Sequence, residues 1–160
     1  MKKLIYYLIL FSCMNLFSQE QISLGVYQDL RLLLAGDDHN NDAGTIDIVM
    51  RIEMQGKQQN WGYLTIFPQF EYAEIAGNYK RWSANVGYTF NEIFVEIMPY
   101  VSYGWIDRGV SFRSIGAGCE ISYKIGKLEI SLLNEFVERQ ELNKWVCSIY
   151  GGIKYNIKLK

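Results

Sequence analysis

Trp145-Val146-Cys147-Ser148-Ile149-Tyr150-Gly151-Gly152-Ile153-Lys154-Tyr155-Asn156-Ile157-Lys158-Leu159 changes character at almost every residue. Trp145, Cys147, Ile149, Gly151, Ile153, Tyr155, Ile157 and Leu159 fall in one register. Ser148, Tyr150, Gly152, Lys154, Asn156 and Lys158 fall in the other. A period of two places successive side chains on opposite faces of a strand, whereas a helix repeats about every 3.6 residues. This stretch is a strand with one apolar face and one polar face.

The same alternation recurs back along the chain to Ile22. Ile22, Leu24, Val26, Leu30, Leu32 and Leu34 oppose Ser23, Gly25, Tyr27, Asp29 and Arg31. Ile46, Ile48, Met50, Ile52 and Met54 oppose Asp47, Arg51, Glu53 and Gln55; Leu64, Ile66, Pro68, Phe70 and Tyr72 oppose Thr65, Gln69 and Glu71. Trp82, Ala84, Val86, Tyr88 and Phe90 oppose Ser83, Asn85, Gly87 and Thr89. A fifth segment sets Val95, Ile97, Pro99, Val101, Tyr103 and Trp105 against Glu96, Met98, Tyr100, Ser102 and Gly104. A sixth sets Ile115, Ala117, Cys119, Ile121, Tyr123 and Ile125 against Gly116, Gly118, Glu120, Ser122 and Lys124. The seventh is the least regular, with Asn134 on the apolar face of Leu128, Ile130, Leu132 and Phe136. Leu133 and Val137 interrupt its polar face of Glu129, Ser131 and Glu135.

The connections also alternate. Gly56 to Gly62, Asn91-Glu92 and Gly126-Lys127 are short or turn-like, while Gly36 to Gly44, Ala73 to Arg81, Asp107 to Ser111 and Arg139 to Lys144 are longer and more polar. Long and short links in alternation put four loops at one end and both termini at the other. The expected fold is all-β, an eight-stranded antiparallel up-and-down barrel.

Three observations decide which face lies inside. The polar faces mix both signs of charge with Gly, Ser and Thr, which suits the narrow interior of an eight-stranded barrel that side chains can fill. The apolar faces carry no charge in any strand, and their bulk would overfill that interior. Trp82, Trp105 and Trp145, with Tyr72, cluster on the apolar face at the loop end, and Tyr88, Phe90, Tyr123 and Tyr155 cluster at the turn end. Two aromatic bands flanking an apolar belt are the girdles of a transmembrane barrel. A soluble lipocalin-like carrier, with its apolar face inward, is the alternative.

Composition agrees. The chain has 160 residues, 15% aromatic and 21% charged, enough for one domain. Lys plus Arg is 16 against 17 Asp plus Glu, so no basic footprint points to nucleic acid. Met1-Lys2-Lys3 followed by Leu4-Ile5-Tyr6-Tyr7-Leu8-Ile9-Leu10-Phe11 reads as a secretory leader, too short for a helical span of roughly 20 residues. Cleavage after Ser18 divides the chain into a signal peptide, 1–18, and a barrel domain, 19–160. A second reading makes Leu10-Phe11-Ser12-Cys13 a lipobox.

The Leu16-Phe17-Ser18-Gln19 junction resembles signal peptides of Bacteroidetes-type bacteria. From about Gln21 to Lys160, strands and loops resemble the small eight-stranded outer-membrane β-barrels of Gram-negative bacteria. Tyr150-x-Gly152-x-x-Tyr155-x-Ile157 resembles the C-terminal signal read by the barrel-insertion machinery, although the chain ends in Leu159-Lys160. The resemblance implies residence in the cell outer membrane, with outer-membrane lipids, lipopolysaccharide and the insertion machinery as partners. It also implies a structural, adhesive or surface-interaction role. No cofactor is expected, and open porins need about twice as many strands.

Candidate chemistry is sparse. Some barrels that resemble this one in size act on lipid A acyl chains through a His, a Ser and an acid near the outer rim. His39, the only histidine, lies in the first long loop, with Ser83, Ser111 or Ser114 as nucleophile and Glu71 or Asp107 as orienting acid. No Ser-His motif of those families occurs, and a solvated loop histidine is the plainer reading. Asp38-x-Asn40-x-Asp42 has the spacing of a calcium loop's start, but Ala43 replaces the glycine and Val49 the closing glutamate. With so few His and Cys, no structural zinc site can form. Gly116-x-Gly118 lies within a strand and is expected to relieve crowding in the lumen. Cys119 and Cys147 fall on strands six and eight, two strand spacings or roughly 10 Å apart. A disulfide needs Cα atoms within about 7 Å, so both should be free thiols.

Overall fold

The computed structural model describes residues 21–37, 41–75, 79–91 and 95–159. The strands are β1 (Gln21–Asp29), β2 (Asp47–Gln55), β3 (Gly62–Ala73), β4 (Tyr79–Asn91), β5 (Val95–Asp107), β6 (Ser111–Ile125), β7 (Leu128–Arg139) and β8 (Lys144–Lys158). Each pairs antiparallel with its chain neighbours. β1 also pairs with β8, from Gln21↔Lys158 to Asp29↔Tyr150, which closes the barrel, and β8 runs on past β1 toward Lys144 at the loop end. The expected eight-stranded up-and-down barrel is the observed fold.

Closure also explains the two in-strand prolines. Proline has no N–H to give a ladder, and strand interiors usually exclude it. The β2–β3 register lapses between Arg51↔Gln69 and Met54↔Ile66, opposite Pro68. The β4–β5 register lapses in the same way between Gly87↔Tyr100 and Phe90↔Ile97, beside Pro99. Each proline interrupts one ladder, while its strand keeps a full register with the neighbour on the other side.

The first segment departs from its expected extent. Its strand stops at Asp29, and Leu30–Leu34 form a single helical turn, α1. Asp29 accepts hydrogen bonds from the backbone N–H of Arg31 at 2.8 Å and of Leu32 at 3.0 Å, capping that turn. Leu30, Leu32 and Leu34 therefore do not extend the apolar strand face. Leu32 is buried, and Arg31 is exposed, not in the lumen.

The loop end is also shorter than expected. Only residues 30–46 make a long connection. The other three loops are 74–78, 108–110 and 140–143, the last a 3-10 turn with Asn143 in the left-handed region at φ 49°. Strand pairing extends to Ala73↔Tyr79 and Arg139↔Lys144 and takes up residues expected to be loop. Arg81 and Arg139 thereby become inward-facing strand residues. At the turn end, Gly126 at φ 66° opens the Gly126-Lys127 hairpin, where a positive φ matches the strand twist.

Candidate functional site

The outer wall is apolar along its middle. Val101 is 64% exposed and Ile153 59%, although both lie well inside long strands. Such a surface is far larger than the apolar patches water tolerates on a monomer. Aromatic residues band both ends. At the loop end Phe70 packs on Trp82 with ring centroids 4.3 Å apart, and Tyr103 on Trp105 at 5.3 Å. At the turn end Tyr88 packs on Phe90 at 5.0 Å. Trp61, outside the expected girdle, projects from residues 56–61 and is 80% exposed.

The inner wall is polar, charged and packed. Arg51, 2% exposed, is the central post. It donates to Glu120 at 2.8 Å, to the Gln69 side-chain oxygen at 2.7 Å and to the Tyr100 hydroxyl at 2.8 Å. Its guanidinium carbon lies 4.6 Å from the Phe67 ring centre, 4.9 Å from Tyr100 and 5.0 Å from Tyr27. Cation–π contact of this kind gains strength when water is excluded.

Two further clusters join this post. Toward the turn end, Lys154 reaches Glu120 at 2.8 Å, Glu129 at 3.0 Å and Glu53 at 3.4 Å. Lys124 pairs with Glu96, which also accepts from the Tyr63 hydroxyl at 2.9 Å. Toward the loop end, Arg81 pairs with Glu71 at 3.2 Å and Glu135 at 3.1 Å and donates to Ser102 at 2.7 Å. Arg139 and the Tyr150 hydroxyl each reach Glu71 at 3.4 Å. Gln69 links the halves, accepting from Arg51 and donating to Glu135 at 3.2 Å. The network runs nearly the length of the lumen.

Glycine makes room for it. A Cβ at Gly118 would strike the Tyr100 ring, and one at Gly152 the Tyr27 ring. These two rings, with Val49, Phe67, Met98, Leu133 and Tyr150, form an apolar cluster around the charged post. Gly118 thus relieves crowding as expected.

Each mouth holds a cavity. The turn-end cavity, about 470 Å³, is lined by amides and lysines, among them Gln21, Gln55, Gln58, Asn91, Lys124 and Lys158. The loop-end cavity, about 530 Å³, has carboxylates and cations together: Asp29, Asp37 and Asp47 beside Arg31, Arg108, Arg139 and Lys144.

Of the proposed catalytic set, the described residues hold the serines and the acids but not the histidine. His39 lies outside the described residues, as do Asp38 and Asn40 of the calcium pattern. Ser83 and Ser114 are buried in the lumen, whereas Ser111 is exposed at the rim in register with Asp107. Asp107 accepts from the Gly109 N–H at 2.9 Å, and Glu71 is engaged by Arg81, Arg139 and Tyr150. No three His, Cys, Asp or Glu side chains among the described residues are grouped as a metal ion requires. Cys119 and Cys147 are free, as the strand order demands.

Sequence reasoning placed Arg81 and Arg139 in loops and did not mark Tyr79. Their even spacing from Ser83, and from Glu135 and Val137, was the signal available. Ile48, on the apolar face as expected, is not a mid-strand residue. It is the second residue of β2 and pairs with Tyr72 of the loop-end girdle, so Met50 and Ile52 are the belt residues of that strand.

A closed eight-stranded barrel with an apolar, aromatic-banded exterior and a polar lumen is the transmembrane β-barrel fold. The inward face of the described strands is polar and charged around one apolar cluster, not the continuous apolar face that a soluble lipocalin-like carrier needs. No protein-family model and no curated protein matches the chain. Among solved structures, the outer membrane protein Ail of Yersinia pestis in a phospholipid nanodisc is similar with a TM-score of 0.56 at 15% identity. The match covers 87% of this chain and 99% of that one. The N-terminal β-barrel domain of Pseudomonas aeruginosa OprF gives 0.54 at 11% identity, covering 87% and 98%. A de novo designed transmembrane β-barrel gives 0.53 at 12% identity, covering 87% and 95%. These likenesses are of fold.

Proposed function

We propose that this protein is a small, non-enzymatic barrel of the outer membrane with a structural or surface-interaction role. The filled lumen carries this reading. Arg51, Arg81 and Lys154, each bonded to two or more partners across the bore, fill it with paired side chains and argue against a channel for large solutes. What remains for function is the lipid-facing wall and the loop end. Similarity in fold to Ail, an attachment invasion locus protein, supports a surface role, as does similarity to the OprF barrel for outer-membrane residence.

With three of the four loops short, residues 30–46 are the main surface offered for such contacts. The leader, 1–18, would direct export, and its Leu16-Phe17-Ser18-Gln19 ending supports a Bacteroidetes-like source. Insertion machinery, outer-membrane lipids and lipopolysaccharide would be the partners in place.

Fractionation of cells producing the protein, with boiled and unboiled samples compared on gels, tests this reading. Recovery in the outer membrane with a heat-dependent mobility shift is expected. Recovery in the periplasm without detergent would contradict it. His39→Ala should leave lipid A composition unchanged; a loss of acyl-chain processing would restore the enzymatic alternative.

A further inference from the structure

The barrel closes unevenly. The β1–β8 ladder ends at Asp29↔Tyr150, whereas β8 pairs with β7 all the way to Arg139↔Lys144. Trp145–Ile149 therefore carry a ladder on their β7 side and face no strand on the other. Residues of an antiparallel strand direct their N–H and C=O groups to alternate sides, so part of this stretch aims backbone groups at the seam. Trp145 stands in the loop-end girdle and Ile149 below it on the apolar wall, both exposed. Backbone left unpaired against lipid is costly.

The chain that leaves β1 is already at the seam. α1 lies against β8, and a Cβ added at Gly151 would meet the Leu30 side chain. Its five residues are too few for a helix that is stable alone. The Asp29 cap and the burial of Leu32 hold it. So does the Gly44 N–H, which donates to the Leu32 and Leu33 carbonyls at 3.0 and 3.1 Å. Leu33 and Leu34 stay exposed, Leu34 at 75%.

The same residues fit the vacant place as strand. Continuing the register from Asp29↔Tyr150 sets Leu30 against Ile149, Arg31 against Ser148, Leu32 against Cys147, Leu33 against Val146 and Leu34 against Trp145. Leu30, Leu32 and Leu34 then join the lipid face beside Ile149, Cys147 and Trp145. Arg31 follows Asp29 onto the inner face, and Leu33 lies there next to Val146. On the other side, continuing Gln28↔Ile48 brings Leu30 to Ile46 and Leu32 to Gly44, the residue that already bonds it.

We propose that Leu30–Leu34 is a lateral gate with two states. As α1 it leaves the seam open. The loop-end cavity, about 530 Å³, then has Trp145, Val146, Cys147 and Ser148 in its wall, both faces of β8 at once. As an extension of β1 the segment zips onto β8 and walls the cavity off from the lipid. The gate governs whether this vestibule communicates with the surrounding membrane.

Disulfide trapping in lipid vesicles, read on non-reducing gels, tests it. In a Cys119→Ala background, Leu32→Cys stands opposite the native Cys147 in the strand state, within the Cα separation of about 7 Å that a disulfide allows. Leu34→Cys, two residues along, is the register control. Phe136→Cys, opposite Cys147 across β7 and β8, reports the barrel itself. Mild oxidation should bridge Leu32→Cys about tenfold faster than Leu34→Cys, whose diagonal spacing is too long. Adding Leu30→Pro, which suits the first position of a helix but not a strand interior, should slow that bridge about tenfold. Adding Asp29→Ala, which removes the α1 cap, should speed it about fivefold. Equal rates for Leu32→Cys and Leu34→Cys, or a rate indifferent to Leu30→Pro and Asp29→Ala, would mean that the thiols meet in the α1 state and would overturn the gate. So would the absence of a Leu32→Cys bridge while Phe136→Cys forms its own. Failure of the Phe136→Cys bridge would overturn the barrel register, and the gate and the membrane reading with it.

Discussion

Along β2 the two faces of one strand live in different media. Met50 and Ile52 stand 44% and 50% exposed, while Arg51 and Glu53 beside them are buried to within 2%. In a water-soluble domain this would be an inverted strand. Here the apolar side chains gain nothing from one another and need only a hydrocarbon surround, whereas the charged ones must find partners across the bore. Tolerance to substitution should therefore differ by face: the outer wall accepts any apolar residue, and the inner wall accepts almost no change.

The largest effect should follow from removing the central post. Arg51→Met strips Glu120, Gln69 and Tyr100 of a shared donor and leaves buried charge uncompensated, which costs about 3–5 kcal/mol. Urea titration of the barrel in lipid vesicles would measure it. A loss under 1 kcal/mol would mean that water enters the lumen freely and that the faces differ less than the contacts imply.

On the other face the sign of preference reverses. Val86, paired with Val101 and Ile66 in mid-belt, should not accept charge, and Val86→Arg should cost about 2–4 kcal/mol in the same titration. Ile48→Arg should cost less, because that position sits in the loop-end girdle where the penalty falls toward zero. Equal costs at 48 and 86 would break the assignment of belt and rim.

A smaller effect tests packing alone. Gly118→Val drives two methyl groups toward the Tyr100 ring and should cost about 1–3 kcal/mol, the range for overfilling a packed interior. Cys147→Ala, at the exposed outer rim, should change stability by less than about 0.5 kcal/mol. A large loss there would point to a packing role for the thiol that its exposure does not suggest.

The face assignment was legible because the period of two survives in every strand, even where Leu133 and Val137 disturb it. Barrel closure was legible from the loops, but their lengths were not. Polar residues such as Arg81 and Arg139 resemble loop when read singly, and only pairing shows that they continue the inward face. The turn at Leu30–Leu34 was hidden because Leu30, Leu32 and Leu34 keep the strand's alternation, which only Leu33 breaks, while Asp29, the cap that ends the strand, reads equally well as a lumen charge. The lumen partners lay beyond reach for a different reason. Arg81 and Glu135 are 54 residues apart, and Lys154 and Glu53 are 101. Nothing local links them; closure of the cylinder does.

The inside-out arrangement is tested most directly by single cysteines in a Cys119→Ala, Cys147→Ala background, placed at 52, 86 and 120 in native membranes without detergent. A lipid-facing belt predicts that an uncharged, lipid-soluble maleimide labels 52 and 86, that a charged maleimide labels neither, and that 120 resists both. Free labelling of 52 and 86 by the charged reagent would mean that the apolar wall faces water and would contradict the transmembrane barrel.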